Sequence, residues 1–218
     1  MKLFPTIEMR SNSSQFKDFE KALESNAARY GVEITTEAIE RLSAYYELLN
    51  TWNPRLHLVA PCSPREFARR HVLESLLLLP HLSQGAKVAD IGSGAGLPII
   101  PCLVARPDIK ATLIEASSRK AVFLREALQR ISSTRSANVI SERFENVTTP
   151  QVEFVTCRAL ERFEKSFPRL VEWSPRASTL LFFGGEGLRR SITETQLSYC
   201  EVHIPDSVRR YLFVVSRT

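Results

Sequence analysis

A run of glycines directly after an apolar segment has residue types and a spacing that could do chemistry. Residues 87–98 have the sequence KVADIGSGAGLP, in which Gly92, Gly94 and Gly96 follow Asp90. Glycines at a strand-to-helix turn allow tight backbone geometry and let a ligand touch the main chain. Dinucleotide sites use Gly-x-Gly-x-x-Gly, where the helix start holds a pyrophosphate. Here the third glycine comes one residue earlier, which points to a different ligand.

Two acidic residues indicate which ligand this turn would hold. Asp90 lies two residues before the first glycine, and Glu115 ends the next predicted strand. S-adenosylmethionine has no phosphate, but its ammonium group can be attracted by Asp90 through water, and Glu115 can accept both ribose hydroxyls. A generic glycine turn with an incidental acid and an NAD site are the alternatives. The predicted cofactor contacts around the turn are Asp90, Gly92, Ser93, Gly94, Gly96, Leu97 and Glu115.

Short apolar runs alternate with helical patterns from residue 87 onwards. Strands are predicted at 87–91, 111–115, 138–141, 153–157 and 179–183, with helices at 97–105, 119–131 and 160–172. Such alternation favours a parallel sheet covered by helices on both faces. The last two strand-like runs, 199–204 and 210–216, are joined by a linker too short for a parallel crossover and must form an antiparallel hairpin. The sequence therefore predicts an α/β, Rossmann-like fold with a mostly parallel seven-stranded sheet, the layout of S-adenosylmethionine-dependent methyltransferases.

Helical patterns fill the chain before this sheet. Apolar side chains share one face in each of two helices: Phe16, Phe19 and Leu23 in the first, Ile39, Leu42, Tyr46 and Leu49 in the second. The second helix is expected to end near Pro54, because a proline disfavours helical geometry in the residue before it. A third helix should begin after Ser63, as a capping box, and run to about Pro80. We expect an N-terminal helical extension, residues 1–83, and a Rossmann-like domain, residues 84–218.

Composition limits the remaining classes of protein. The 218 residues are 44% hydrophobic and 24% charged, which is ordinary for a globular protein with a real core. No apolar run approaches the roughly 20 residues that span a bilayer, and the start lacks the pattern of a signal peptide. The four cysteines lie far apart without a Cys-x-x-Cys pair, so neither a metal site nor a disulfide scaffold is expected. We expect a cytoplasmic monomer, and the net charge of +5 permits a polyanionic partner.

Several motifs resemble one known family, the glucose-inhibited division protein B family, also called RsmG. The resemblance extends from about Tyr45 to Ala159. It is carried by DIGSGAGLPIIP at 90–101, RPD at 106–108, Arg119 with Lys120, Trp52 with Asn53, RHVLES at 70–75 and CRA at 157–159. Membership implies methylation of N7 of a guanine in small-subunit (16S) ribosomal RNA, in the decoding-region loop. It also implies cofactor contacts at Gly92, Leu97, Phe144, Glu145 and Arg158.

The chemistry of that reaction agrees with the residue types present. Guanine N7 carries an in-plane lone pair and no proton, so methylation needs alignment and electrostatics rather than a general base. Arg158 is a candidate to bind the cofactor carboxylate, a phosphate or guanine O6. It is not expected to point at N7, because a guanidinium there would oppose the positive charge that develops on the guanine. A salt bridge at the strand end is its alternative role. His71 is the second catalytic candidate, for packing or substrate positioning rather than acid–base catalysis.

The resemblance makes ribosomal RNA or the small ribosomal subunit the expected partner. The candidate RNA-binding residues are Arg70, Arg119, Lys120, Arg143 and Arg210. A solvated helix face is the alternative explanation for such basic residues. Departures from the family pattern occur at Ile99, Glu115, Glu74, Val59 and Gly184, where the family usually has glycine, aspartate, aspartate, threonine and lysine. Two other functions stay open: a methyltransferase acting on a small molecule or protein, and a non-catalytic module that binds RNA or ribosomes.

Overall fold

A seven-stranded sheet forms the centre of the computed structural model, which describes residues 13–158 and 163–217. The strand order is β3-β2-β1-β4-β5-β7-β6. The strands are β1 Lys87–Ile91, β2 Lys110–Ile114, β3 Ala137–Ile140, β4 Phe154–Arg158, β5 Thr179–Gly184, β6 Tyr199–His203 and β7 Tyr211–Ser216. The first five pair in parallel, whereas β7 runs antiparallel to both β5 and β6. The predicted fold class and the C-terminal hairpin are confirmed.

The strand order reverses beside β1, which has β2 on one side and β4 on the other. In open sheets of this type, ligands bind outside the carboxyl ends of the strands at such a reversal. Each strand boundary lies within one residue of its prediction. Two of these one-residue differences concern predicted site residues. Glu115 directly follows β2 instead of ending it, and Arg158 is the last residue of β4 instead of following it. The Glu115 backbone N–H still bonds the Ile140 carbonyl of β3 at 3.0 Å, while its carboxylate accepts hydrogen bonds from the loops around it.

Four helices connect the strands after β1. They are α4 Ile99–Ala105, α5 Ser118–Arg130, α6 Phe163–Trp173 and α7 Glu186–Glu194. The predicted start of α6 at residue 160 lies outside the described residues. Helix α4 begins two residues later than predicted, because residues 92–98 are held in the glycine turn. Helix α7 is missing from the prediction, although Leu188 and Ile192 on one face of it are buried.

Helices before β1 are α1 Ser13–Asn26, α2 Thr36–Leu56 and α3, residues 64–76. The prediction that α2 ends near Pro54 is wrong, since Pro54 lies inside its last turn. A proline has no backbone N–H, so one helical hydrogen bond is missing at Pro54. Because Pro54 lies in the last turn, this loss does not break the rest of the helix. The His57 amide closes the helix by donating to the Asn53 carbonyl at 2.9 Å.

Helix α3 is also irregular where one continuous helix to Pro80 was predicted. It has an α-helical turn at Pro64–Phe67, a π-helical segment at Ala68–Leu73, and a final α-helical turn at Glu74–Leu76, followed by a 3₁₀ turn at Leu79–His81. The wider π turn coincides with a tertiary contact, because the carbonyls of Arg70 and His71 accept hydrogen bonds from Arg158 of β4.

Apolar side chains cover both faces of the sheet. On one face, a continuous core joins α1, α2 and α3 to α4, α5 and side chains of the strands such as Val88 and Leu113. On the other face, Phe167 and Leu170 of α6 pack with Leu188 of α7 against the sheet. The N-terminal helices therefore share a core with the sheet and lie close to the ends of β1 and β4.

Candidate active site

A cavity of about 930 Å³ opens at the carboxyl ends of β1, β2 and β4. It lies at the reversal of strand order where the topology predicts a ligand site. The predicted site residues that line it are His71, Gly92, Ser93, Gly94, Leu97, Glu115, Lys120, Arg143, Phe144, Glu145 and Arg158. The structure thus brings together residues separated by almost ninety positions in the chain.

The glycine turn forms the floor of this cavity. Gly92, Gly94 and Gly96 all have positive φ, at 66°, 52° and 83°, a region that favours glycine. A Cβ on Gly96 would overlap the Ile100 side chain, with Cγ1 at 2.7 Å, so close packing of α4 excludes a side chain there. At Gly94 a Cβ would meet only the Gly92 carbonyl oxygen, at 3.6 Å. The space above Gly94 therefore belongs to the cavity.

Glu115 connects the turn to the end of β2. One carboxylate oxygen accepts the Gly94 N–H at 2.8 Å, and the other accepts the Ser117 N–H at 2.8 Å. Each oxygen keeps a further lone pair, and the residue lines the cavity. Glu115 therefore holds the turn in shape while it offers acceptor positions to a ligand.

Asp90 lies behind the turn and does not line the cavity. Its side chain is fully buried, and its carboxylate oxygens have no hydrogen-bond partner within the described ranges. Burial raises the pKa of Asp90 well above its ordinary value, and the nearby charge of Glu115 acts in the same direction. A contact between Asp90 and a cofactor ammonium through water stays a prediction.

Tyr45 of α2 supports the glycine turn, a role that no sequence motif indicated. Its hydroxyl donates to the Ala95 carbonyl at 2.6 Å, and the side chain is fully buried. Burial raises the pKa of Tyr45, so the hydroxyl stays protonated and remains a donor. Helix α2 is thereby attached directly to the glycine turn.

Substituting Tyr45 by phenylalanine should lower the free energy of unfolding by about 1–2 kcal/mol, because the buried Ala95 carbonyl would lose its partner. Urea unfolding measures this loss. Tyr199→Phe, which removes an exposed hydroxyl 3.4 Å from Thr193, should cost less than about 0.5 kcal/mol. Equal losses in the two variants would contradict the anchoring role.

Arg158 and Glu74 form a buried ion pair at the cavity wall. The Arg158 guanidinium donates to Glu74 Oε2 at 2.9 Å and packs over the Phe183 ring at 5.4 Å. Burial lowers the pKa of Arg158, and the Glu74 carboxylate opposes this change. The salt bridge that was the alternative role of Arg158 is present, but the side chain also lines the cavity.

His71 lies on the π-helical segment beside the same cavity. Its ring packs against Phe67 at 5.1 Å, and its Nδ1 is buried without a partner among the residues described. Burial, together with the positive charges of Arg158 and Arg70, lowers its pKa to about 4. The imidazole is therefore neutral at pH 7 and can align or pack, which agrees with a reaction that needs no general base.

This shift in pKa predicts a pH dependence of stability. Between about pH 6.5 and pH 4 the unfolded chain binds a proton at His71 and the folded chain does not, so the free energy of unfolding falls as the pH falls. The loss attributable to His71 is about 3 kcal/mol. Urea unfolding at pH 7 and pH 4 should show a smaller loss for His71→Asn than for the unsubstituted protein. The same loss in both proteins would exclude this contribution.

The predicted RNA-binding residues occupy different surroundings. Lys120 and Arg143 line the cavity, and Arg119 is exposed at the start of α5. Arg70 is half exposed and pairs with Glu66 at 2.5 Å. Arg210 instead points inward and pairs with the buried Glu74 through both of its terminal nitrogens. The structure therefore groups two of the five at the cavity.

Other residues that line the cavity were not among the predicted site residues. Leu58, Val59 and Ala60 form one wall, and Asn53 holds this loop because its side chain bonds both the N–H and the carbonyl of Val59 at 3.0 Å. Arg169 of α6 lines the opposite part and is 3.9 Å from Glu145. The one sequence signal for Arg169 is its spacing from the apolar Phe167 and Leu170, which would predict that it lies on the outer face of a helix.

Neither a candidate metal-ion site nor a candidate membrane-spanning helix is found in the described part of the chain. Its histidine, cysteine, aspartate and glutamate residues form no group of three or more that could hold a metal ion. None of the helices there is long and apolar enough to cross a membrane.

A known protein family and several named proteins are similar to this chain in sequence. The family model described as rRNA small subunit methyltransferase G matches residues 38–206. Many relatives carry the name Ribosomal RNA small subunit methyltransferase G, and three of them illustrate the similarity. That of Neisseria meningitidis serogroup A is 35% identical over 75% of both chains. That of Sorangium cellulosum is 35% identical over 77% of this chain and 72% of its own, and that of Paramagnetospirillum magneticum 36% identical over 73% and 77%.

Solved structures with low sequence identity share the fold. A SAM dependent methyltransferase from Aquifex aeolicus superposes with a TM-score of 0.57 at 12% identity, covering 79% of this chain and 98% of its own. The B. subtilis M1A22 tRNA methyltransferase TrmK superposes with a TM-score of 0.55 at 10% identity, covering 66% and 65%. The sheet order and the position of the cavity agree with a methyltransferase fold. From the family match and the sequence relatives together, the chain belongs to the rRNA small subunit methyltransferase G family.

Proposed function

We propose that this chain transfers the methyl group of S-adenosylmethionine to N7 of a guanine in small-subunit (16S) ribosomal RNA. The observation that carries the proposal is the cavity at the reversal of strand order, where Gly94, Glu115 and Arg158 meet in a chain of this family. Family membership supports the ribosomal RNA substrate, and the cavity supports the cofactor.

The residues of the cavity fit S-adenosylmethionine group by group. The open space above Gly94 accommodates a ligand against the main chain, and Glu115 offers acceptors for ribose hydroxyls. Phe144 lies at the cavity wall beside Glu145, which suits the adenine. Arg158 supplies a cation for the cofactor carboxylate. Asp90 lies behind the turn and outside the cavity, so it would reach the cofactor ammonium group only through water. When bound, the cofactor supplies an electrophilic methyl group on a sulfonium.

The protein's part in the reaction is binding and alignment. Guanine N7 has its lone pair in the plane of the ring, so the base must be held with that lone pair pointing at the methyl carbon. A volume of about 930 Å³ is at the upper end of the range for small-molecule sites, which leaves room for a base beside the cofactor. A neutral His71 adds no charge that would repel the cationic product.

Basic side chains at the edge of the cavity suit an RNA substrate. Lys120, Arg143 and Arg169 line it, and both arginines are more than two-thirds exposed. Neutralising phosphates with such residues releases counterions, so RNA binding should weaken as the salt concentration rises. We place the reaction in the cytoplasm, with the enzyme as a monomer and residues 1–83 as an N-terminal extension, of which Leu58, Val59 and Ala60 line one side of the cavity.

Methyl transfer to RNA tests the proposal. The protein is incubated with methyl-labelled S-adenosylmethionine and small-subunit rRNA from a strain that lacks the gene. We expect one labelled methyl per rRNA and 7-methylguanosine after nuclease digestion. Label only in protein or metabolite extracts would favour a different substrate, and cofactor binding without transfer to any of them would favour a non-catalytic RNA-binding role.

A further inference from the structure

The carboxylate of Glu74 is shared by two arginines that are distant in the chain. Glu74 is 1% exposed, and among the described residues its ionic partners are Arg158 and Arg210. Arg210, at the residue before β7, donates to Oε1 at 2.6 Å and to Oε2 at 2.8 Å. Arg158, at the end of β4, donates to Oε2 at 2.9 Å. The three side chains together carry one unmatched positive charge.

The two arginines use Glu74 in different ways. Arg210 makes a bidentate contact with both oxygens, the strongest geometry for a guanidinium and a carboxylate. Arg158 reaches Glu74 with one nitrogen, and its other contacts are neutral: the carbonyls of Arg70 and His71, and Ser75 Oγ at 3.4 Å. Because Arg210 neutralises most of the Glu74 charge, the charge of Arg158 remains largely unmatched at the cavity wall.

We propose that Arg210 is a positioning residue for the cofactor: by saturating Glu74 it leaves Arg158 able to attract the carboxylate of S-adenosylmethionine. The inference rests on the proposed function, in which Arg158 is the residue that faces this carboxylate. It assigns Arg210 an interior role in place of the direct RNA contact that the sequence suggested.

The fate of Arg158 without Arg210 follows from burial. Glu74 cannot turn to solvent, and an uncompensated buried carboxylate is strongly unfavourable. Arg158, whose side chain is 12% exposed, is the other cation bonded to Glu74 and would pair with both oxygens. The net charge of the cluster would then be zero in place of +1, and a ligand carboxylate would lose its attraction.

Titration calorimetry with two probes tests this effect. S-adenosylmethionine and its decarboxylated form share the adenosine, the sulfonium and the ammonium group and differ in the carboxylate. The full chain should bind S-adenosylmethionine about tenfold or more tightly than the decarboxylated form. Arg158→Gln should abolish this preference, and Arg210→Gln should abolish most of it. Arg130→Gln is the control, because it removes an exposed arginine that pairs with Glu47 outside the cavity.

A double variant separates charge from general damage to the fold. Glu74→Gln combined with Arg210→Gln restores a net charge of +1, so the preference for S-adenosylmethionine should return although one more side chain has changed. Arg210→Lys, whose ammonium cannot hold both oxygens as a guanidinium does, should give an intermediate preference and serves if Arg210→Gln does not fold.

The outcomes distinguish the inference from the proposed function. Loss of the preference in Arg158→Gln but not in Arg210→Gln or Arg210→Lys would overturn the inference and leave the cofactor site intact. No recovery in the double variant would overturn it as well. No preference in the unsubstituted chain, or an unchanged one in Arg158→Gln, would remove both the inference and the placement of the carboxylate beside Arg158.

Discussion

Substitution of Gly94 by aspartate should abolish S-adenosylmethionine binding and, with it, methyl transfer. The space above Gly94 is part of the cavity, and the Gly94 N–H lies 2.8 Å from the Glu115 carboxylate. The new side chain would fill the space meant for the ligand and bring a second negative charge next to Glu115. We expect the dissociation constant measured by calorimetry to rise at least about 100-fold, or about 3 kcal/mol.

The fold should survive this change. Aspartate tolerates the left-handed backbone region better than most residues, and the cost of that conformation is of order 1 kcal/mol. Gly31→Asp is the matched control, because Gly31 also has a positive φ, at 68°, and open space around it, but does not line the cavity. If Gly31→Asp weakened cofactor binding as much as Gly94→Asp, the loss would reflect stability and not the site.

Substitution of Arg158 by alanine should cause the largest loss of stability among the changes considered. It leaves the buried Glu74 with one partner and removes hydrogen bonds from the carbonyls of Arg70 and His71. Arg210 still neutralises Glu74, so the loss comes from buried acceptors that no longer have a donor, at about 1–3 kcal/mol for each. Urea unfolding should show this loss, and methyl transfer at a temperature where the variant is folded should be strongly reduced.

Arg130→Ala is the control for that experiment. Arg130 and Glu47 form a 2.9 Å ion pair in which both side chains are half exposed. Exposed pairs of this kind contribute about 0–1 kcal/mol because water and salt screen them. A loss of similar size in both variants would show that the Arg158 cluster is no more important than a surface ion pair.

Local patterns were sufficient to predict the sheet and the cofactor turn. The strands are short runs bounded by turn residues, each boundary was predicted within one residue, and the apolar side chains of β1, β2, β4, β5 and β7 are largely buried. The glycines at 92, 94 and 96 have positive φ, as a strand-to-helix turn of this kind requires. Glu115 could be placed near them because the carboxyl ends of adjacent parallel strands meet at one edge.

Errors occurred where the local signal is weak or misleading, or where a tertiary contact competes with it. Pro54 did not end α2, and α3 contains a π-helical segment whose carbonyls are bonded by Arg158, 88 residues from Arg70. Helix α7 was missed because only Leu188 and Ile192 mark its buried face, between polar residues and two glycines.

The sequence by itself determined the fold class, the glycine turn that we propose holds the cofactor and, through its motifs, the family. The tertiary structure alone decided what the arginines do. Arg210 looks like a surface residue of a basic hairpin, but it is paired with the buried Glu74, 136 positions earlier. The reason is physical: a local pattern reports which faces of an element are apolar, whereas the partner of a charged side chain depends on which distant elements the folded core brings into contact.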